Sequence, residues 1–226
     1  MSLLAMSTWE FPPPRYWSPG GNWSWSYTLV MVGMWWVMMV AMMIPSAAPT
    51  ILLYVRVHLH HQPDASGALH AFLFLAGYLL IWLLFSVAAT LLHWLLERSG
   101  LVHSMLMWSS SAVLSGALLL LAGAYQFTAL KHACLVQCRS PAAWLASHWR
   151  IGAGGALCMG VHHGLFCVGC CWSLMLLLFA GGVMNLVWIA GLAILVLLEK
   201  VLPLGEWLAR SSGAVLVTAG IILLLA

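Results

Sequence analysis

Long apolar stretches separated by short polar breaks set the pattern of this chain. A bilayer core needs about 20 apolar residues per helix. By that measure Tyr27 to Ile44 is a first span, free of charge and stopping at Pro45. His70 to Leu96 is a second, stopping at Glu97 and Arg98, and Ser111 to Leu130 a third, stopping at Lys131. Ile151 to Ala180 is a fourth, Gly-rich and polar in its first half. Gly181-Gly182 turns the chain into a fifth, Val183 to Leu198, closed by Glu199 and Lys200. Ser212 to Ala226 is a shorter sixth. The pattern predicts an all-α, polytopic transmembrane helical bundle of about six spans, five of full length and one short at the C-terminus. A second reading makes segments four and five one buried helical hairpin that does not fully cross.

Composition agrees. Of 226 residues, 64% are hydrophobic and 6% charged, whereas a soluble domain carries about a quarter charged residues. This excludes an ordinary soluble enzyme. The net charge of +3 is small and scattered, which excludes a nucleic-acid binder built on a basic patch. Residues 1–26 form a tail with Trp9, Trp17, Trp23 and Trp25 among Pro12, Pro13, Pro14 and Pro19. Tryptophan favours the membrane interface, so the tail is expected to lie there or to be disordered, and residues 27–226 to form one transmembrane domain. The start lacks a basic run leading into an apolar core, so no cleavable signal peptide is expected. Arg56, Lys131, Arg139, Arg150, Lys200 and Arg210 fall in the odd-numbered loops, against Arg15 and Arg98 on the other side. The positive-inside bias then puts both termini outside.

Thirteen Met, six Cys and ten His stand beside five carboxylates, a donor set suited to a soft or borderline metal. The fourth span concentrates it. At about 100° per residue, Met159, His163, Cys167 and Cys170 share a face about 80° wide, with Cys171 at its edge and Trp172 opposite. His162 lies nearer Cys158. His163 falls about 17 Å into the span by helical rise, near the midplane. Polar groups at that depth need partners, and thiolates with imidazoles select Cu(I) or Zn(II). The bland reading keeps each Cys as a small hydrophobe and each His on a backbone carbonyl.

Other segments carry weaker signals. Lys131-His132-Ala133-Cys134-Leu135-Val136-Gln137-Cys138-Arg139 puts both thiols on one face only if the helix continues. It reads as a relay site for metal, with His132 nearby, or as a structural interface segment. Met34, Met38 and Met42 recur at i,i+4, a stripe read first as pliable packing. Pro45 and Pro49 are expected to break the helix. His58, His60 and His61 sit with Asp64 in the expected first loop, solvated or ferrying a cation. Glu199 and Lys200 read as an end-of-helix ion pair, and Asn185 as a hydrogen-bonding cross-link between helices.

Three runs together resemble a known family. They are Met42-Met43-Ile44-Pro45-Ser46-Ala47-Ala48-Pro49, then Lys131-x-x-Cys134-x-x-x-Cys138-Arg139-x-Pro141, then His163-Gly164-x-x-Cys167-x-Gly169-Cys170-Cys171-Trp172. The third continues through Gly182-Val183-Met184-Asn185-Leu186 and Glu199-Lys200-x-x-Pro203-x-Gly205. They resemble an uncharacterised bacterial family of predicted metal-binding integral membrane proteins. The resemblance implies a metal site in an inner-membrane bundle and little about a reaction. It points to Lys131, Cys134, Cys138, His163, Cys167, Cys170, Cys171, Asn185 and Glu199, with Met42 and Met43 bordering the site.

The leading expectation is a protein of the bacterial inner membrane that holds or passes a metal, copper before zinc. Its ligands would be His163, Cys167 and Cys170 or Cys171, with His162 and Met159 in reserve. Its partners would be membrane lipid, the ion and a soluble or membrane protein. Alternatives are a membrane-embedded oxidative metalloenzyme on a small or lipidic substrate, a thiol/quinone oxidoreductase, and a structural subunit of a membrane complex.

Overall fold

A computed structural model describes residues 23–61, 67–102, 109 and 111–225. Its helices are α1 Trp25–His61, α2 Gly67–Arg98, α3 Ala112–Tyr125, α4 Ala129–Arg139, α5 Pro141–His148, α6 Ala153–Leu176, α7 Leu178–Gly181, α8 Leu186–Val201 and α9 Gly205–Leu225. Among the described residues the one β feature is an isolated bridge between Val102 and Ser109. The expected all-α, membrane-type bundle is therefore what the chain forms. Most of the N-terminal tail lies outside the described residues, but Trp23 donates to Glu97 at 3.0 Å and packs edge-on against Tyr27.

The span count differs from six. α1, α2, the α6–α7 run and α9 are each long and apolar enough to cross a membrane, and α3 with α4 makes a fifth only as a pair bent by 65°. The bend falls at Gln126–Thr128, where the Thr128 hydroxyl caps α4 by accepting from the Lys131 amide at 3.2 Å. At 16 residues, α8 is about 24 Å long, short of a core about 30 Å thick. It starts at Asn185, whose side chain accepts from the Trp188 amide at 3.1 Å. It ends inside the protein, so Glu199 and Lys200 are 2% and 6% exposed rather than at a surface. The sixth span begins earlier than expected, at Gly205.

The two prolines do not break α1, which is helical from Trp25 to His61. Proline is tolerated in a membrane helix where neighbours satisfy the disturbed backbone. Pro45 and Pro49 take the usual helical donor from the Ala41 and Pro45 carbonyls; between them the Met43 carbonyl accepts from Ser46 Oγ at 2.9 Å and Tyr78 OH at 3.3 Å, which ties this stretch of α1 to α2. Continuing the helix carries His58 out of the expected loop and buries it.

Small residues set the closest helix contacts, as expected where lipid offers no hydrophobic drive for packing. A Cβ on Gly160 would strike the Phe74 carbonyl, and one on Gly77 the Leu157 carbonyl, so α2 and α6 meet backbone to backbone. The core between them joins Met31, Trp35, Met39 and Met43 of α1 to Tyr78 and Trp82 of α2 and to the α6 cysteines.

Candidate functional site

The site is a buried cluster of sulfur around one ammonium group. α6 delivers Cys167, Cys170 and Cys171, each 1% exposed. The bent pair α3–α4 brings a second set of thiols. Cys134 packs where Gly169 lacks a side chain, since a Cβ there would lie 2.7 Å from its Sγ. Cys138, also buried, lies beside Cys170. From α1, the Met43 thioether lies 3.9 Å from Cys171 Sγ. α8 delivers Lys200, whose Nζ donates to Cys167 Sγ at 2.9 Å and to Ser46 Oγ at 3.2 Å. Tyr78 OH stands 3.1 Å from the same sulfur. Five thiols, a thioether, a phenol and an ammonium from five helices thus share one apolar interior.

A buried ion pair stands beside the cluster. Lys131 Nζ meets Glu199 Oε2 at 2.6 Å, with 1% and 2% of the side chains exposed. The other oxygen, Glu199 Oε1, accepts from Gln126 Nε2 at 3.0 Å and Ser212 Oγ at 3.3 Å. Glu199 and Lys200 therefore do not pair with each other as the sequence suggested. Each serves a different partner on a different helix. Arg139 ties the end of α4 to the turn after α8, donating to the Leu202 carbonyl at 2.9 Å and the Pro203 carbonyl at 2.5 Å. These bonds fix α4, and with it Cys134 and Cys138, against α8. Neighbouring charges need this support, because a buried charge without a partner is costly.

The expected ligands are only partly brought together. Cys171 faces the interior fully rather than sitting at the edge of the face. His163 is 2% exposed among the rings of Trp144, Tyr78 and Phe74, 5.3, 5.8 and 6.1 Å away. Its Nδ1 has no hydrogen-bond partner among the described residues. Met159 belongs to a separate cluster with Tyr54, Phe74 and Trp144, and its sulfur accepts from the Arg150 amide at 3.3 Å. His162 lies on another face, 6.3 Å from the ring of His148. His132 points outward from α4 to Glu206, 3.0 Å away, on the rim of a cavity of about 570 Å³. Asn185 caps α8 and stands apart. Met42 is buried with the core, while Met34 and Met38 line a lipid-side groove of about 870 Å³ between α1 and α8.

Among the described residues, no three His, Cys, Asp or Glu side chains stand ready to hold a metal ion. The reason is local. Cys170 and Cys171 both donate to the Cys167 carbonyl, at 3.1 and 2.9 Å, which turns their sulfurs back along the helix. Binding an ion requires these thiols to rotate inward. Sequence reasoning missed Tyr78, Gln126 and Ser212, which are single polar residues in apolar or loop contexts and carry no spacing signal; Ser46 stood in the first motif without a role. Lys200 was legible in its motif, but not its contact with Cys167.

Fold and site together define a helical membrane-type protein with an interior thiol cluster braced by buried charges. The chain matches the model of the copper chaperone family PpoB2 over residues 32–223 and belongs to that family. Comparison with curated proteins and with solved structures gives no match. The expected resemblance to metal-binding membrane proteins thus narrows to copper.

Proposed function

We propose that this protein carries Cu(I) inside the membrane on thiolates of α6 and α4 and passes it to an acceptor protein. The observation that carries the reading is the gathering of four buried thiols, Cys138, Cys167, Cys170 and Cys171, around the Lys200 ammonium, which donates to Cys167. Cys167 and Cys170 are the central ligands, with Cys138 and Cys171 in reach to exchange with them. His163, one turn before Cys167 with a free ring nitrogen, is the neutral ligand nearest the set. Soft thiolate donors select Cu(I).

Charge favours Cu(I) over zinc. Two thiolates and one monovalent ion leave a complex of charge −1, which the Lys200 ammonium cancels. A divalent ion on the same ligands leaves one uncancelled positive charge in a low-dielectric interior, where such charge is costly. Loading releases two thiol protons and unloading takes them back, with no change of oxidation state. Thiols not yet bound allow ligand exchange, so the ion can move without a free intermediate. With Lys131 and Lys200 buried rather than in loops, Arg56, Arg139, Arg150 and Arg210 against Arg15 and Arg98 still favour an N-terminus outside, in the bacterial inner membrane that the resemblance implies.

Elemental analysis of the protein purified in mild detergent, without a metal-binding tag, tests this. Sulfur-coordinated copper, read by X-ray absorption beside the elemental count, should be lost in Cys167→Ser and Cys170→Ser and kept in Cys158→Ser, whose side chain is only partly buried on another face. Sulfur-coordinated copper retained in both interior variants, or oxygen-only coordination in wild type, refutes the reading.

A further inference from the structure

We propose that His58 and His70 form a second, imidazole-lined site for Cu(I) at the α1–α2 end of the bundle, which takes up the ion before it reaches the thiols. The role in uptake rests on the thiol reading above; binding at the pair does not. The site exists because α1 stays helical past its prolines to His61. That continuation sets His58, 4% exposed, against His70 of α2, 9% exposed, with ring centroids 4.3 Å apart. His58 Nε2 is buried and has no hydrogen-bond partner among the described residues. A buried imidazole nitrogen left in this way is a cost, and a metal ion removes it.

Two neutral imidazoles suit a monovalent ion that accepts two-fold coordination. A linear two-imidazole complex separates its nitrogens by about 4 Å, twice a metal–nitrogen bond of about 2.0 Å. The two rings now stack, 28° between their planes with centroids 4.3 Å apart, so they must turn from face to face to edge to edge for one nitrogen of each to meet a shared ion. Two neutral ligands leave the ion's charge uncancelled. That is tolerable at the end of a helical hairpin and not at the bilayer centre, where the thiolates and Lys200 take over.

The pair is joined to the thiol cluster by one packed seam. His70, Phe74 and Tyr78 lie on successive turns of α2, and Tyr78 OH touches Cys167. The distance from His70 to Tyr78 is about 12 Å along the axis. His163 lies midway, within 6.1 Å of the Phe74 ring and 5.8 Å of the Tyr78 ring. Imidazole ligands therefore lead inward to sulfur ligands, from weaker to stronger donors for Cu(I).

The test is anaerobic Cu(I) titration of the full chain in detergent against a chromogenic chelator, with X-ray absorption of each loaded sample. His58→Gln/His70→Gln should bind one ion fewer per chain than wild type, with its sulfur coordination unchanged. His58→Met, which keeps a soft donor, should restore the ion. His148→Gln/His162→Gln should match wild type. Cys167→Ser/Cys170→Ser should still bind one ion, held by nitrogen. The proposal is overturned if His58→Gln/His70→Gln binds as many ions as wild type, or if His148→Gln/His162→Gln loses the same ion. It also fails if His58→Met does not restore binding in folded protein. Nitrogen-only copper in wild type, abolished by His58→Gln/His70→Gln, would refute the thiol reading and leave this site standing.

Discussion

Replacing Glu199 with Gln should destabilise the fold severely while barely changing its shape. The substitution leaves the Lys131 ammonium 1% exposed with its carboxylate gone. At the observed 2.6 Å, the direct attraction is about 6 kcal/mol at an effective dielectric of about 20. Desolvation of both ions offsets much of that, so the pair's net contribution is small. The cost of breaking it is not small: a lone buried charge costs about 3–5 kcal/mol. Lys131→Met alone should cost a similar amount, because Glu199 then keeps only Gln126 and Ser212. Combining Lys131→Met with Glu199→Gln removes both charges and should recover most of the loss. The assay is equilibrium unfolding in mixed micelles followed by tryptophan fluorescence, read as a double-mutant cycle. Single variants that lose less than about 1 kcal/mol, or a double variant whose loss is the sum of the singles, would refute the reasoning.

Three further outcomes follow from the same geometry. Gly160→Ala places a methyl group on the Phe74 carbonyl, and overpacking of this kind costs about 1–3 kcal/mol; unchanged unfolding would show that α2 and α6 can separate freely. Tyr78→Phe removes the hydroxyl shared by Cys167 and the Met43 carbonyl, with an expected loss of about 1 kcal/mol and a weaker hold on copper in chelator competition. Asn185→Ala removes the α8 cap, which should cost about 1 kcal/mol and leave copper stoichiometry as in wild type; a loss of copper would make Asn185 part of the site.

Much of the site was legible in the sequence because it rests on local spacing. The helical period alone put His163, Cys167 and Cys170 on one face of α6, and burial bears that face out. The apolar runs alone required an all-α membrane bundle, since a backbone in lipid must satisfy its own hydrogen bonds. Where the reading went astray, the deciding groups were distant in sequence. Pro45 and Pro49 look like helix breakers, yet α1 runs unbroken through both, tied to α2 where Tyr78 donates to the Met43 carbonyl. Glu199 and Lys200 look like an end-of-helix ion pair until the fold gives Glu199 to Lys131 and Lys200 to Cys167 and Ser46.

Tertiary structure decided which charge meets which sulfur. Period and composition name the thiols, but not that Lys200 of α8 donates to Cys167 of α6 or that Lys131 of α4 seeks Glu199. Such pairings have no spacing signature, because they depend on how far each helix penetrates and where it bends. Helix identity is written in local periodicity, whereas the partners of a buried charge are chosen by the whole bundle, because a buried charge without a partner is costly.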